Sequence, residues 1–504
     1  MNMDALNIFR RDKKQGIILL AVLLILVLRF AFIGLMGMMP QDAYYYFYSA
    51  HPALSYYDHP PAIAWCLKLF TFLFGKKVFV LKLADFVVTS CSILAFYKLA
   101  QCFLSKHGVQ KALLLFFSTF MVTILSLIST PDTPLILCWT LSLVALHHAL
   151  FLDKKIYWVW TGLLMGLAFD SKYTAVFLPA GAFLFLLLSN TYRRRLLSPW
   201  PWLALLLFLL TISPVIIWNV QNGFASFKFQ SAGRAASIGG NSFTPTNFLG
   251  VLGHQSAILM PILFFALFYF LFKAVKKYRT RLSAVSAEQL FLFCFFIPVF
   301  LGFLCISFIY WVKLNWMMPA YITGIIWISR YFNMKWIRYQ VLFSLLVHLV
   351  LAVEVVFYPV SIRSDDTWVG WKELARQVEL VQARYPGSFV FSADDYKTSA
   401  VLNFYLDEMV YSSNIIGQRA LQFDYIGSDL SGLTGKTALF IDSKNDLEDE
   451  STKNDNFPPN ISHHFDSVTT LPPILIKKDG RTIRKFLVYV CHNYNQHGST
   501  PDTN

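Results

Sequence analysis

Acids and bases able to take part in catalysis gather at a few places in this 504-residue chain. The densest is Pro40 to Pro61, PQDAYYYFYSAHPALSYYDHPP, where Asp42, Asp58, His51 and His59 stand among tyrosines. A carboxylate can serve as a general acid or base, so both aspartates are the first candidates for chemistry. Further along come Asp132 in TPDTP, Asp170 and Lys172 in DSKY, Lys228 and Arg234, His254 and Gln255, and Lys313 and Asn315 in KLNW. Each residue also has a plainer reading: Asp132 between two prolines can cap the helix it opens, Lys172 can snorkel, and His254 can simply pack.

The elements that would position these groups are set by composition. With 56% hydrophobic and 14% charged residues and a mean hydropathy of +0.51, the chain is no ordinary soluble enzyme. Apolar runs long enough for a bilayer recur over the first 360 residues, at about 17–39, 79–103, 112–129, 134–152, 156–169, 173–189, 200–218, 248–272, 288–310, 316–329 and 337–359. The expected fold class is therefore a polytopic α-helical membrane protein with about eleven transmembrane helices. The first run is longer than a signal-peptide core and precedes no small-residue cleavage site, so it reads as a retained helix after a cytoplasmic segment 1–16. Alternate gaps between the runs hold the clustered basic residues, among them Lys154, Lys155, Arg193 to Arg195, and Lys273 to Arg281. That alternation places the N-terminus inside and accounts for the formal charge of +14 without nucleic acid. The candidate residues all fall on the opposite, outer side.

Residues 17–359 form the expected membrane catalytic domain, with a first outer loop at 40–78 in which Ala62 to Gly75 reads as a short helix on the membrane. Tyr44, Tyr45, Tyr56 and Tyr57 suit a place where one side is apolar and the other wet, and could anchor this loop at the interface. Arg29 interrupts the first run, and a buried pair with Asp85 is one reading. Residues 360–492 have the composition of a soluble α/β domain on the outer side. Helices are expected at Trp371 to Ala383 and Thr398 to Leu406, and strands at 388–392, 409–412, 437–441 and 484–489. A disordered tail is expected at 493–504. Six of the seven cysteines lie in apolar segments and suggest neither a zinc motif nor a disulfide framework. His51, His59 and His254 lack ligand spacing, so no cofactor or metal is expected, although a divalent ion is conceivable on that side.

The segments DAYYYFYSAHPALSYYDHPPAIAW, STPDTPLILCWTL, DSKYTAVFLPA, SPVIIWNVQNGFASFKFQ and KLNWMMPAYI, in this order, resemble the bacterial protein-mannosyltransferase-like glycosyltransferases of the GT-C fold. That superfamily includes the lipid A aminoarabinose transferase and rhizobial galacturonosyltransferases of lipopolysaccharide. The resemblance implies transfer of one sugar, with inversion, from a polyprenyl phosphate to an acceptor at the outer face of the bacterial inner membrane. Lipid A or lipopolysaccharide core is the first expectation for the acceptor, protein Ser/Thr hydroxyls the second, and a lipid-linked sugar flippase the rival of another class. On this reading Asp42 and Asp58 are catalytic, while Lys172, Lys313 and Arg234 hold the donor phosphate. Tyr44, Tyr45, His59, Asp132, His254 and Asn315 contact substrate. The family's Asp-Glu pair stands here as Gln41-Asp42, which leaves Asp42 or Asp58 to serve as the acid.

Overall fold

The computed structural model describes residues 3–233, 243–279, 284–444, 447 and 460–496, with side chains from residue 16 onward apart from Ala232. It is mostly helical and divides into two units, one of Met1–Leu35, His59–Cys66 and Lys82–Val356, the other of Met36–Asp58, Leu67–Leu81 and Phe357–Asn504.

The helices run in order as α1 (Met3–Leu35), α2 (Pro40–Ala50), α3 (Ala62–Phe74), α4 (Val78–Phe103), α5 (Lys106–Phe117) and α6 (Phe120–Leu127). There follow α7 (Asp132–Phe151), α8 (Ile156–Phe169), α9 (Phe177–Leu188), α10 (Pro199–Thr211), α11 (Ser213–Gln221) and α12 (Ala225–Lys228). Then come α13 (Pro245–Leu259), α14 (Pro261–Tyr278), α15 (Ala287–Ile306), α16 (Met318–Ser329) and α17 (Met334–Phe357). Among the described residues, Gly16–Leu35 of α1 and the whole of α4, α7, α15 and α17 are each long and apolar enough to cross a membrane.

Three expected spans are broken rather than straight, because the pairs α5/α6, α10/α11 and α13/α14 bend by 59°, 44° and 113°. Two of the breaks have local causes. Met260 takes a left-handed φ of 65° and Pro261, lacking an N–H, opens α14; α11 likewise has Pro214 in its first turn.

The α5/α6 break has a distant partner. Arg29 Nη2 donates to the carbonyls of Phe117 at 2.8 Å and Thr119 at 3.1 Å, and its Nε donates to Thr123 Oγ1 at 2.9 Å. Carbonyls at a helix end lack intrahelical donors, and a guanidinium fork can serve several at once. The expected Arg29–Asp85 pair is therefore not made; Asp85 accepts instead from Ser129 Oγ at 2.6 Å.

The first unit is packed around aromatic layers such as Phe96 on Phe116 at 4.2 Å. α8 and α10 approach closely, where a Cβ on Gly162 would sit 2.3 Å from the Ala204 carbonyl oxygen and one on Gly166 2.4 Å from Thr211 Cβ. Glycines four apart let two backbones approach in this way. The contact fixes the helix from whose end Asp170 and Lys172 project.

In the second unit α18 (Trp371–Gln382) and α19 (Lys397–Leu406) accompany a sheet of β1 (Phe389–Phe391), β2 (Ala438–Lys444), β3 (Phe465–Lys478) and β4 (Arg481–Tyr494), with the short α20 (Ile461–His464) before β3. The strand order is β1-β2-β4-β3, with β1 parallel to β2 and the other pairs antiparallel. Phe391, Phe440, Phe465, Tyr489 and Tyr494 fill its core. The expected strand at 409–412 is reduced to one bridge between Phe391 and Tyr411. β3 escaped the sequence reading because Pro472 and Pro473 interrupt it; it is an edge strand whose register shifts between Leu471 and Ile474, a place where prolines are tolerated. The expected tail begins too early at 493, since Asn493 and Tyr494 belong to β4 and Tyr494 is buried, donating to the Ile415 carbonyl at 3.0 Å. Most of the polar loop 443–460 and residues 497–504 lie outside the described residues.

Asp394 gives this unit a pH dependence. Its carboxylate accepts from Ser392 Oγ, Thr398 N and Thr398 Oγ1, yet desolvation, aided by the nearby Asp365 charge, pushes its pKa up to about 7. A carboxyl raised above its unfolded value favours the fold while protonated, and that contribution is lost as pH rises from about 4 through about 7. Thermal unfolding of the purified protein is expected to show lower stability at pH 8 than at pH 5, with the difference reduced in Asp394→Asn. An unchanged pH slope in that variant would assign the effect elsewhere.

Candidate active site

The first unit joins three of the sequence motifs. Asp132, in the first turn of α7, does not cap its helix through its side chain but accepts from Lys172 Nζ with both oxygens at 2.8 Å. Asn315 Nδ2 donates to the same carboxylate at 2.5 Å. Asp132 is 0% and Lys172 4% exposed. A buried ion pair of this kind holds its charges only when the geometry is good and further hydrogen bonds complete it, and Asn315 supplies one.

The Asn315 turn is itself braced. Gln255 on α13 donates to the Leu314 carbonyl at 2.9 Å and accepts from Tyr321 of α16 at 2.5 Å. Lys172 and His59 both line a cavity of about 230 Å³, together with Tyr173, Thr174, Gln230 and Trp316. Tyr173 Oη and Ser226 Oγ lie 2.6 Å apart, which ties the segment at α12 to the DSKY turn. The result is a buried cation, oriented by an acid, at the wall of a cavity.

The other first-unit candidates lie less centrally. Lys313 and Lys228 are exposed, His254 packs edge-on against Trp311 at 5.5 Å, and Arg234 lies outside the described residues.

The second unit holds the two candidate acids. Pro40 opens α2 and Asp42 stands in its first turn, where Oδ2 accepts from Met39 N–H at 2.9 Å. Asp42 is fully buried. Asp58, partly exposed, accepts from Tyr44 Oη at 3.2 Å and from Tyr48 Oη. Burial and the neighbouring Asp58 charge hold the Tyr44 phenol well above its ordinary pKa, so it stays a donor.

Expected in contact with sugar or lipid, the tyrosines turn inward. Tyr44, Tyr45, Tyr56 and Tyr57 are all buried. Tyr44 packs on Tyr396 at 4.2 Å, Tyr48 on Tyr56 at 4.1 Å and Tyr57 on Tyr425 at 5.3 Å, while Tyr57 N–H donates to Gln422 Oε1 at 2.7 Å. Tyr44 thus acts on Asp58, and Tyr45 packs beside it. Tyr48 was not singled out in the sequence, although its spacing of four from Tyr44 puts both on one helix face. Gln422, 365 residues from Tyr57, left no local signal. Gln41 donates to Asp366 at 2.9 Å. Among the described residues, three ligating side chains converge at Cys102, His147 and His148.

Comparison with known proteins agrees with this architecture. Residues 58–218 match the family model described as dolichyl-phosphate-mannose-protein mannosyltransferase. The chain is 21% identical over 415 residues, 80% of its length and 85% of the relative's, to the lipid A galacturonosyltransferase RgtD of Rhizobium johnstonii. Its fold is similar to that of ArnT from Cupriavidus metallidurans bound to undecaprenyl phosphate, with a TM-score of 0.63 at 14% identity, covering 94% of this chain and 98% of that one. The oligosaccharyltransferase AglB of Archaeoglobus fulgidus, in complex with an inhibitory peptide and a dolichol-phosphate, matches at a TM-score of 0.50 and 12% identity, covering 98% and 75% of the two chains. The resemblance read from the motifs is thereby borne out: residues 58–218 are similar to a protein-mannosyltransferase domain, the chain is similar over most of its length to a glycosyltransferase, and it shares the fold of ArnT.

Proposed function

We propose that this protein transfers a single sugar from a polyprenyl-phosphate donor to lipid A or lipopolysaccharide core at the outer face of the bacterial inner membrane. The observation that carries the reading is the buried Asp132–Lys172 pair, completed by Asn315, at a cavity wall shared with His59. It stands in a chain similar over four fifths of its length to a lipid A galacturonosyltransferase.

A leaving polyprenyl phosphate gains negative charge, and a cation already oriented at the moment of reaction stabilises that charge without reorganising. Lys172 has this role, with Lys313 and Arg234 as outer cations that assist headgroup binding. Asp58 or Asp42 removes the acceptor proton or supports the oxocarbenium-like transition state. His59, Asn315 and His254 border the substrate path, and apolar surface between helices takes the lipid tail.

Eleven crossings keep the N-terminus inside and put residues 360–492 outside as an α/β domain. The α13/α14 break does not change that parity, because α14 with 18 residues rises about 27 Å by itself. The cells from which the gene is deleted, complemented with wild type or with Asp58→Asn, test the whole reading through mass spectrometry of lipid A and core oligosaccharide. A sugar mass lost on deletion and restored by wild type but not by the variant is the expected result. Unchanged lipopolysaccharide together with altered glycoproteins would move the acceptor to Ser/Thr, and labelled lipid translocated without any glycosylated product would make the protein a flippase.

A further inference from the structure

Away from the proposed catalytic groups, one ligand atom from each of Cys102, His147 and His148 lies within 4.8 Å of the others. Cys102 is in the last turn of α4, and the two histidines are near the end of α7. We propose that these three side chains form a Zn2+ site that clasps α4 to α7.

The chemistry of the donor set fits the ion. Thiolate with imidazole suits zinc, and tetrahedral bonds of about 2.3 Å to sulfur and 2.0–2.1 Å to nitrogen place ligand atoms about 3.3–3.6 Å apart. Closing from at most 4.8 Å asks for side-chain shifts of no more than about 1.2–1.5 Å.

The surroundings fit as well. His148 Nδ1 lies 2.8 Å from the Val144 carbonyl; a carbonyl can only accept, so Nδ1 carries the proton and Nε2 keeps its lone pair. Metal-bound histidines are commonly fixed in this way, through the other ring nitrogen and a backbone carbonyl. The ring is further steadied by stacking on Tyr157 at 4.7 Å.

His147 is 7% exposed, and its Nδ1 has no hydrogen-bond partner among the described residues. Its ring is fixed by stacking on Phe151 at 4.7 Å and edge contact with Phe103 at 5.0 Å. A buried imidazole nitrogen normally finds a partner, and a metal supplies one. Both helices also direct the negative ends of their dipoles toward the cluster, which favours a cation.

Binding would release the Cys102 proton to solvent and replace the weak contact of its thiol with the Lys98 carbonyl at 3.4 Å. Cys102 and His148 are both partly exposed, so water can complete the coordination. On the topology proposed above this end faces the cytoplasm, where a thiol stays reduced. Sequence motifs for zinc depend on short spacings within a loop or one helix, and here the ligands come from two separate helices.

The test uses the full chain in detergent, stripped with a chelator and titrated with Co2+ as a spectroscopic probe. One equivalent is expected to give a thiolate-to-cobalt charge-transfer absorption that Zn2+ displaces. The absorption is expected to vanish in Cys102→Ser, survive in Cys138→Ser, and require at least about tenfold more metal in His148→Ala. Wild-type protein gives a second readout that does not depend on a variant folding: Zn2+ should slow maleimide labelling of Cys102, measured by peptide mass spectrometry, and leave Cys305 unaffected. Absence of the absorption, its persistence in Cys102→Ser, or labelling of Cys102 at the same rate with and without Zn2+ would overturn the site and leave the two histidines as packing residues.

Discussion

Asp58→Asn is expected to lower kcat for sugar transfer by about 10²–10⁴-fold, the range for loss of a positioned general base, while Asp42→Asn keeps kcat within a few-fold of wild type. The asymmetry follows from how the two carboxylates are held. Asp42 is buried at the start of α2 and bonded to the Met39 N–H, and an asparagine oxygen can accept that bond. Its loss of charge at a helix N-terminus costs about 0.3–1 kcal/mol of stability.

Asp58 is partly exposed and held by the hydroxyls of Tyr44 and Tyr48. Both hydroxyls can still donate to an amide oxygen, so Asp58→Asn removes charge and basicity while keeping shape. The measurement is steady-state kinetics of the purified enzyme with a polyprenyl-phosphate sugar and a lipid A acceptor. An inactive Asp42→Asn with an active Asp58→Asn would reverse the assignment and make Asp58 a hub for the tyrosines. Retained kcat in both would point to an acceptor that is already ionised, such as a phosphate, which needs no base.

The contrast between the two acids was not readable from the chain because it depends on α2 being a helix. Start signals were present, with Pro40 at the first position and Asp42 in the first turn, but the tyrosines made the stretch look like an interfacial loop. Once it is helical, Tyr44 and Tyr48 share a face and meet Asp58. Helices were legible where an apolar run sets them, and α8 matches its expected range of 156–169, although its 14 residues are short for a full span. The α13/α14 bend was missed, because the apolar run 248–272 continues unbroken across Met260-Pro261. The α5/α6 break was missed as well, since no proline lies in FSTF and the group that binds its carbonyls is Arg29, about 90 residues earlier.

The same limit applies to Lys172, whose residue type suggested phosphate but whose partner Asp132 lies 40 residues away. The third member, Asn315, is 183 residues from Asp132. Motif order identified TPDTP, DSKY and KLNW as separate candidates; only the packing of α7, α8 and the turn before α16 makes them one site.

That convergence has a large energetic consequence, which separates structural from catalytic roles. Lys172→Met leaves the Asp132 carboxylate buried with Asn315 as its remaining described hydrogen-bond donor, and breaking a buried pair from one side costs about 3–5 kcal/mol. The variant is expected to unfold at distinctly lower temperature in detergent and to lose transfer activity. Adding Asp132→Asn removes the stranded charge, so the double variant should regain most of the lost stability, because neutral replacements of buried pairs are often close to wild type. Activity should not return with it, since the cation facing the cavity is still missing. Thermal unfolding and single-turnover transfer measured on wild type, Lys172→Met, Asp132→Asn and the double variant complete the cycle. Recovery of both stability and transfer would reduce the pair to a structural clasp and require the leaving phosphate to be stabilised elsewhere, with Lys313 the next group to replace.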